Sequence, residues 1–181
     1  LLDRAGAPHM SLEVARRRMG ELLQRHPSAR DLALYELVYP RAFAPLIEDA
    51  AKKEQIPATY LRAVAREESG FYPRAVSRAH AYGLIQVLVP TAKAIAKNLK
   101  LPHDPASLMR PDVNLPLGAH FIANLANSVR GQFALVPAAY NAGPAATARW
   151  IAERKHEPLD MWIENIPYDE TRTYTRRVIQ T

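Results

Sequence analysis

A chain of 181 residues, 48% of them hydrophobic, can bury the core of one domain, and this composition excludes intrinsic disorder. The absence of cysteine excludes disulfides, thiol nucleophiles and cysteine-ligated metals, and no apolar run approaches the ~20 residues of a membrane span. The formal net charge of +6 suits either an anionic partner or simple solubility. A start at Leu1 rather than Met is typical of a piece processed or excised from a longer protein.

The first half of the chain predicts helices separated by proline and glycine. Apolar residues at helical spacing predict helices over 11–25, 30–38, 43–51 and 57–69. Pro57 suits the first turn of the last of these helices, and Ser69-Gly70 suits its end. Residues 70–90 hold two glycines and two prolines and predict an irregular, functional excursion with a small β element.

The second half continues the helical pattern. It predicts helices over 91–99, 117–129, 132–141, 145–154 and 169–179, with a proline-marked linker at 102–111. Asp169 is a candidate N-cap, and Gly143 can adopt a left-handed cap conformation. The predicted fold class is mainly α.

The helix over 57–69 carries a carboxylate on its apolar face. Leu61, Val64 and Glu68 share one face, whereas Glu67 points about 120° away. Burial and the negative end of the helix dipole would both raise the pKa of Glu68, as a general acid near neutral pH requires. The alternative is a surface glutamate at a frayed helix end.

Other common chemistries lack their patterns. The six histidines include no pair at metal-ligand spacing on one helix, so no metal site is expected. No phosphate-binding glycine loop or nucleophile elbow occurs. The basic clusters at Arg16–Arg18 and Arg176–Arg177 are short and without interleaved aromatics, which does not favour nucleic-acid binding.

Three further windows carry polar residues that suit a binding site. They are Tyr82–Gln86, Ala138–Gly143 and Ile166–Tyr174. Taken singly, the last two windows have structural explanations: Tyr140 as a core aromatic, Asn141 as a helix cap, and Glu170 as a charge that complements a helix dipole.

In order, the four windows read Glu-Ser-Gly, Gly-Leu-x-Gln, Ala-Ala-Tyr-Asn-Ala-Gly and Ile-Pro-x-x-Glu-Thr-x-x-Tyr. This series resembles the catalytic domain of soluble-type lytic transglycosylases, a lysozyme-like family that cleaves peptidoglycan glycan strands. The resemblance covers about residues 40–179. It implies a lysozyme-like α domain over 39–181, preceded by a helical segment over 1–38 from a larger α-helical region.

The resemblance also implies the site. Glu68 would act first as acid and then as base, closing a 1,6-anhydromuramic ring without a second carboxylate. The implied sugar groove comprises Ser77, Gln86, Leu88, Ala139, Tyr140, Asn141, Glu170 and Tyr174. Gln86 and Asn141 would hold acetamido and hydroxyl groups, and Tyr140 would hydrogen-bond near Glu68 or the acetamido. No cofactor is implied; the implied partners are peptidoglycan strands and other cell-wall enzymes, in the periplasm or envelope.

The chain departs from the family pattern at several groove positions. Leu88 replaces a methionine, His80 replaces a glycine, and Pro90 is displaced by one residue. Pro137 is expected to kink the helix before Tyr140, and Pro116 interrupts another motif. These departures keep two alternatives open: a hydrolytic muramidase, or a weakly active glycan-binding module of an envelope assembly.

Overall fold

The computed structural model describes residues 7–18, 28 and 32–181 of the chain, and helices form most of this part. The helices are α1 (Pro8–Arg18), α2 (Leu32–Val38), α3 (Ala44–Lys53), α4 (Ala58–Ser69), α5 (Val89–Leu99), α6 (Pro105–Leu108), α7 (Pro111–Ser128), a 3₁₀ turn (Phe133–Leu135), α8 (Val136–Ala142), α9 (Pro144–Glu153), α10 (Leu159–Glu164) and α11 (Asp169–Gln180). The predicted β element lies between α4 and α5. Strands β1 (Ala81–Tyr82) and β2 (Val87–Leu88) pair antiparallel, with Ala81 opposite Leu88.

Helix α4 packs against three of the other helices. It contacts α3, α7 and α11, and α7 in turn contacts α3, α5 and α8. The apolar face of α4 is buried through Leu61 and Val64. Gly70 ends α4 at φ +58, a conformation that glycine adopts without steric cost. Pro57 precedes the helix as its N-cap instead of entering the first turn. The end of α4 faces α11 and the turn between the two strands.

Helix α7 begins at Pro111, before the predicted start at residue 117, and so includes Pro116. Proline cannot donate a hydrogen bond to the carbonyl of Asp112, but Asp112 is exposed. The buried residues Asn114, Leu115 and Leu117 surround the proline. Packing of these residues outweighs the lost backbone bond, so the prolines at 111 and 116 do not keep the segment from being helical.

Several predicted helix ends were wrong. Pro137 lies in the first turn of α8, where the missing N–H is harmless, so it does not kink the helix. Gly143 has φ +89 and ψ 152, a conformation nearly restricted to glycine, and joins α8 to α9 without forming a left-handed cap. Tyr168, not Asp169, precedes the first residue of α11. Helices α6 and α10 were missed, since both are short and lack a full apolar repeat.

The N-terminal helices contact each other and the end of α4. Helix α1 packs on α2, Leu12 is buried against Gly70, and the ring of His9 lies 4.6 Å from that of Tyr72. Much of the predicted helix over 11–25 falls outside the described residues. The division of the chain at residues 38 and 39 stays a prediction. Within the described ranges, no helix combines the length and apolarity that a bilayer crossing demands.

Candidate functional site

Glu68 lies in the last turn of α4 and is partly buried. It shares a helix face with Leu61 and Val64, so the packing that buries these residues also draws its carboxyl group inward. The Tyr174 hydroxyl, on α11, donates a hydrogen bond to Glu68 Oε1 at 2.5 Å. The predicted acid therefore faces the protein interior with a single phenol as its hydrogen-bond donor in the described part of the chain.

Burial raises the pKa of Glu68 from its ordinary 4.5 to about 7. The Tyr174 hydrogen bond lowers this pKa, while the negative charges of Glu67 and Glu170 raise it. Burial, and next the charge of Glu68, hold the pKa of Tyr174 well above 10, so its hydroxyl stays a donor. Near pH 7, Glu68 is divided about equally between acid and base, which suits a group that must give up a proton and recover it.

Glu67 points away from this site but is not a surface residue. Its carboxylate lies 2.7 Å from Nη1 of Arg66 and accepts a hydrogen bond of 3.2 Å from the Thr181 hydroxyl. The Glu67 side chain is only 6% exposed. Glu67 is thus engaged in a buried ion pair that joins the ends of α4 and α11, and it does not act as a second acid for the site.

Tyr140 does not hydrogen-bond to Glu68; the alternative, a hydrogen bond to the acetamido group of a sugar, stays a prediction. Its hydroxyl donates to the carbonyl of Ile85 at 2.5 Å, in the turn between β1 and β2. Its ring lies 5.3 Å from Phe121 and stacks on Tyr174 at 6.3 Å between centroids. The two rings stack on each other, but only the Tyr174 hydroxyl bonds to Glu68.

Asn114 of α7 ties the turn between the strands to the rest of the protein. Asn114 is fully buried; its Oδ1 accepts from the Ile85 N–H at 2.8 Å, and its Nδ2 donates to the carbonyls of Tyr82 and Leu108, each at 2.9 Å. A polar residue within an apolar helical run was the available signal. Asn114 thereby holds the backbone that receives the Tyr140 hydroxyl.

Close backbone approach also defines this turn. A Cβ on Gly83 would lie 2.2 Å from the carbonyl oxygen of Leu108, and Gly83 has φ +79, so only glycine fits there. The Ser69 hydroxyl donates to the carbonyl of Leu84 at 2.9 Å and fastens the turn to α4, one residue after Glu68. The Ser-Gly of the first motif therefore has two structural roles, ending the helix and anchoring the turn.

The predicted groove residues Gln86 and Ser77 form hydrogen bonds within their own loop. Gln86 has φ +49, and its Nε2 donates to the carbonyls of Ala75 and Gly83 at 3.1 and 2.8 Å. The Ser77 hydroxyl accepts from the N–H of Ala81 at 3.0 Å. The Gln86 amide nitrogen is thus occupied, and only its oxygen is left for a ligand.

The remaining predicted residues divide between the surface and the core. Leu88 is 41% exposed on β2, whereas Ala139 is 0% exposed and has no accessible surface. Asn141 is exposed; it accepts from the Thr171 hydroxyl at 2.5 Å and approaches Glu170 at 3.4 Å. A cavity of about 390 Å³ is lined by Asn141, Asp169, Glu170, Thr173, Tyr174 and Arg177.

A larger cavity of about 630 Å³ lies between α7, α9 and α10, and none of the predicted site residues lines it. We place the site at the smaller cavity, because Tyr174 connects that cavity to the perturbed acid. In the ranges that the structure covers, no three His, Asp or Glu side chains are grouped as metal ligands.

Two matched substitutions separate the roles of the tyrosines. Tyr174→Phe removes the hydrogen bond that lowers the pKa of Glu68, so we expect the falling limb of the activity–pH profile to move to higher pH, with reduced activity at pH 6. Tyr140→Phe removes the hydroxyl that donates to the Ile85 carbonyl. We therefore expect a partial loss of rate, with the falling limb of the profile unchanged in position. Profiles of kcat/KM from pH 5 to 9 measure both; a limb moved only by Tyr140→Phe would reverse the two roles.

Known proteins resemble this chain in sequence. The family model described as the transglycosylase SLT domain matches residues 45–163. The soluble lytic murein transglycosylase of Escherichia coli K12 is 30% identical over 145 residues, which are 78% of this chain and 22% of that protein. The membrane-bound lytic murein transglycosylase C of Actinobacillus pleuropneumoniae is 29% identical over 68% of this chain and 36% of that protein.

The fold resembles that of a solved lytic transglycosylase. The structure of the lytic transglycosylase Slt of Pseudomonas aeruginosa, an inactive Glu→Gln mutant, superposes with a TM-score of 0.78 at 30% identity, over 93% of this chain and 29% of that chain. This likeness confirms the predicted fold class. The chain spans between about a fifth and two fifths of the length of these three proteins.

Proposed function

Because the chain belongs to the transglycosylase SLT domain family, we propose that it cleaves the β-1,4 bond between N-acetylmuramic acid and N-acetylglucosamine in peptidoglycan by intramolecular transglycosylation. The observation that carries the proposal is Glu68, a partly buried acid whose pKa is raised to about 7 and whose neighbour Glu67 is held in an ion pair with Arg66. Hydrolases that act with two carboxyl groups need a second carboxylate that is free to act as base or nucleophile. Here one carboxyl group would serve twice.

In the proposed reaction, neutral Glu68 gives its proton to the oxygen of the glycosidic bond, and the bond from that oxygen to C1 of the muramic residue breaks. Positive charge at C1 is stabilised by the substrate's own 2-acetamido group. The C6 hydroxyl of the same sugar then attacks C1 and returns its proton to the Glu68 carboxylate. The products are a free N-acetylglucosamine end and a 1,6-anhydromuramic end, and no water is consumed.

The neighbouring side chains suit this cycle. Tyr174 donates to the carboxylate form of Glu68 and so stabilises it midway through the reaction, when the proton is on the leaving sugar. Tyr140 and Asn114 keep the turn over 83–87 against the end of α4. Asn141, Glu170 and the oxygen of Gln86 are the proposed contacts to sugar hydroxyl and acetamido groups.

Mass spectrometry of products released from purified peptidoglycan sacculi tests the proposal. Intramolecular transglycosylation gives anhydro-muropeptides that weigh one water less than hydrolytic products. Hydrolytic masses would support the muramidase alternative. Binding to sacculi without soluble products would support the weakly active glycan-binding module.

The substrate sets the proposed location. Peptidoglycan strands lie in the cell envelope, so we place the protein in the periplasm or at the envelope, and other cell-wall enzymes are its proposed partners. Relatives described as soluble and as membrane-bound both act on murein by name. The segment over 1–38 is proposed as the end of a preceding α-helical region.

A further inference from the structure

Arg177 gives the cavity that Tyr174 connects to Glu68 a positive charge that the proposed reaction does not use. On α11, Glu170, Tyr174 and Arg177 are spaced by four and three residues and therefore share one helix face. All three line the cavity of about 390 Å³. Arg177 is one turn beyond the tyrosine that binds the acid.

The two adjacent arginines of the basic pair at 176–177 have different surroundings. Arg176 is paired with Glu164 of α10 through both Nε and Nη2. Arg177 is exposed, and its guanidinium makes no ion pair or hydrogen bond with any residue that the structure describes. A cation near a helix C-terminus complements the helix dipole, but either arginine serves that purpose. Of the two arginines, Arg177 is therefore the one that can bind a ligand in the cavity.

The cavity is charged differently along its length. Asp169 and Glu170 lie at one end, and Asp169 is neutralised by an ion pair with Arg172. The rise of an α-helix puts the Cα of Arg177 about 10 Å further along the axis than that of Glu170. An anionic group would therefore be repelled at the Glu170 end and attracted at the Arg177 end.

We propose that Arg177 binds a carboxylate on the peptide side chain of the glycan strand and so makes the site selective for strands whose peptides carry free carboxylates. The inference rests on the proposed function. The backbone sugars of a peptide-bearing strand are neutral, and its negative charge lies on the peptides. A guanidinium recognises a carboxylate through two parallel N–H donors, whereas a carboxamide offers one neutral acceptor.

Binding to a synthetic four-sugar strand fragment tests the inference in the Glu68→Gln background, where turnover is suppressed. One ligand carries peptide carboxylates, and the other carries the same peptides as carboxamides. We expect Arg177→Gln to weaken binding of the carboxylate ligand about three- to tenfold and of the carboxamide ligand less than about twofold. Arg177→Lys should retain part of the difference. Isothermal titration calorimetry at low salt measures the affinity of each variant for each ligand.

Arg176→Gln is the matched control, because it removes the same charge one residue away from a side chain that is already paired. Its ratio of the two affinities should equal that of the parent. An equal effect of Arg177→Gln on both ligands, or an equal effect of Arg176→Gln and Arg177→Gln, would overturn the inference while leaving the proposed function standing. Failure to bind either ligand, together with a parent that releases no anhydro product, would overturn both.

Discussion

Replacing Glu68 by glutamine is expected to reduce the release of anhydro-muropeptides by about 10²- to 10⁴-fold, the contribution usually made by a positioned general acid. Glutamine keeps the shape of the side chain and can still accept the Tyr174 hydrogen bond, but it has no proton to transfer. Binding of the glycan should therefore survive. Product release from sacculi, measured at pH 6 with the parent in parallel, gives the ratio.

The same substitution is expected to stabilise the protein above pH 7. Because the pKa of Glu68 is raised by burial from 4.5 to about 7, the native state binds more protons than the unfolded state between these pH values. The contribution of Glu68 to stability is therefore greatest below about pH 4.5 and is lost as the pH rises through 7. A shift of this size corresponds to about 3 kcal/mol. Glu68→Gln should add up to about that much at pH 8 and almost nothing near pH 4.5, as measured by urea unfolding.

Glu67→Gln is the control, and its expected change in the free energy of unfolding has the opposite sign. It removes a buried carboxylate from Arg66 and should lower the free energy of unfolding by about 1–3 kcal/mol while leaving most of the activity. Parent-like turnover by Glu68→Gln would discard Glu68 as the acid. A large loss of activity for Glu67→Gln, measured where that variant is fully folded, would move the role to its neighbour.

Local patterns allowed prediction of the position of the acid but not of its hydrogen-bond partner. The spacing of Leu61, Val64 and Glu68, followed by Gly70, is contained within one helix, so periodicity was enough to predict a buried carboxylate. The donor Tyr174 is 106 residues away along the chain. Tyr140 and Tyr174 stack on each other, and the tertiary packing alone decides which hydroxyl reaches Glu68.

The same limit explains the missed elements of the fold. Proline punctuation predicted a linker over 102–111 and a helix that starts after Pro116. The structure instead forms α6 and a longer α7, because the apolar residues around Pro116 are buried and proline in a first turn costs no hydrogen bond. Resemblance predicted Ala139 as a groove residue, but burial in α8 removes its side chain from the surface. Sequence alone does not reveal which side of a helix is covered by a distant one.

Asn114→Ala is expected to be the most destabilising single substitution near the site. It removes one acceptor and two donors from a fully buried position, so the N–H of Ile85 and the carbonyls of Tyr82 and Leu108 lose their partners. An unsatisfied buried polar group costs about 1–3 kcal/mol, and some relaxation is normal, so we expect a loss of about 3–5 kcal/mol. This is a large share of the stability of an ordinary domain.

The effect should extend to activity, because Ile85 also receives the Tyr140 hydroxyl. Where Asn114→Ala is still folded, turnover should fall further than in Tyr140→Phe, since the whole turn rather than one hydrogen bond is released. Asn124→Ala is the matched control: Asn124 is exposed on the same helix, and the change should stay within about 0.5 kcal/mol of the parent. Urea unfolding at pH 6 compares the two variants. Equal stability of both would mean that Asn114 does not hold the turn and that the strands over 81–88 are fixed by packing of Ile85 against Gly118 instead.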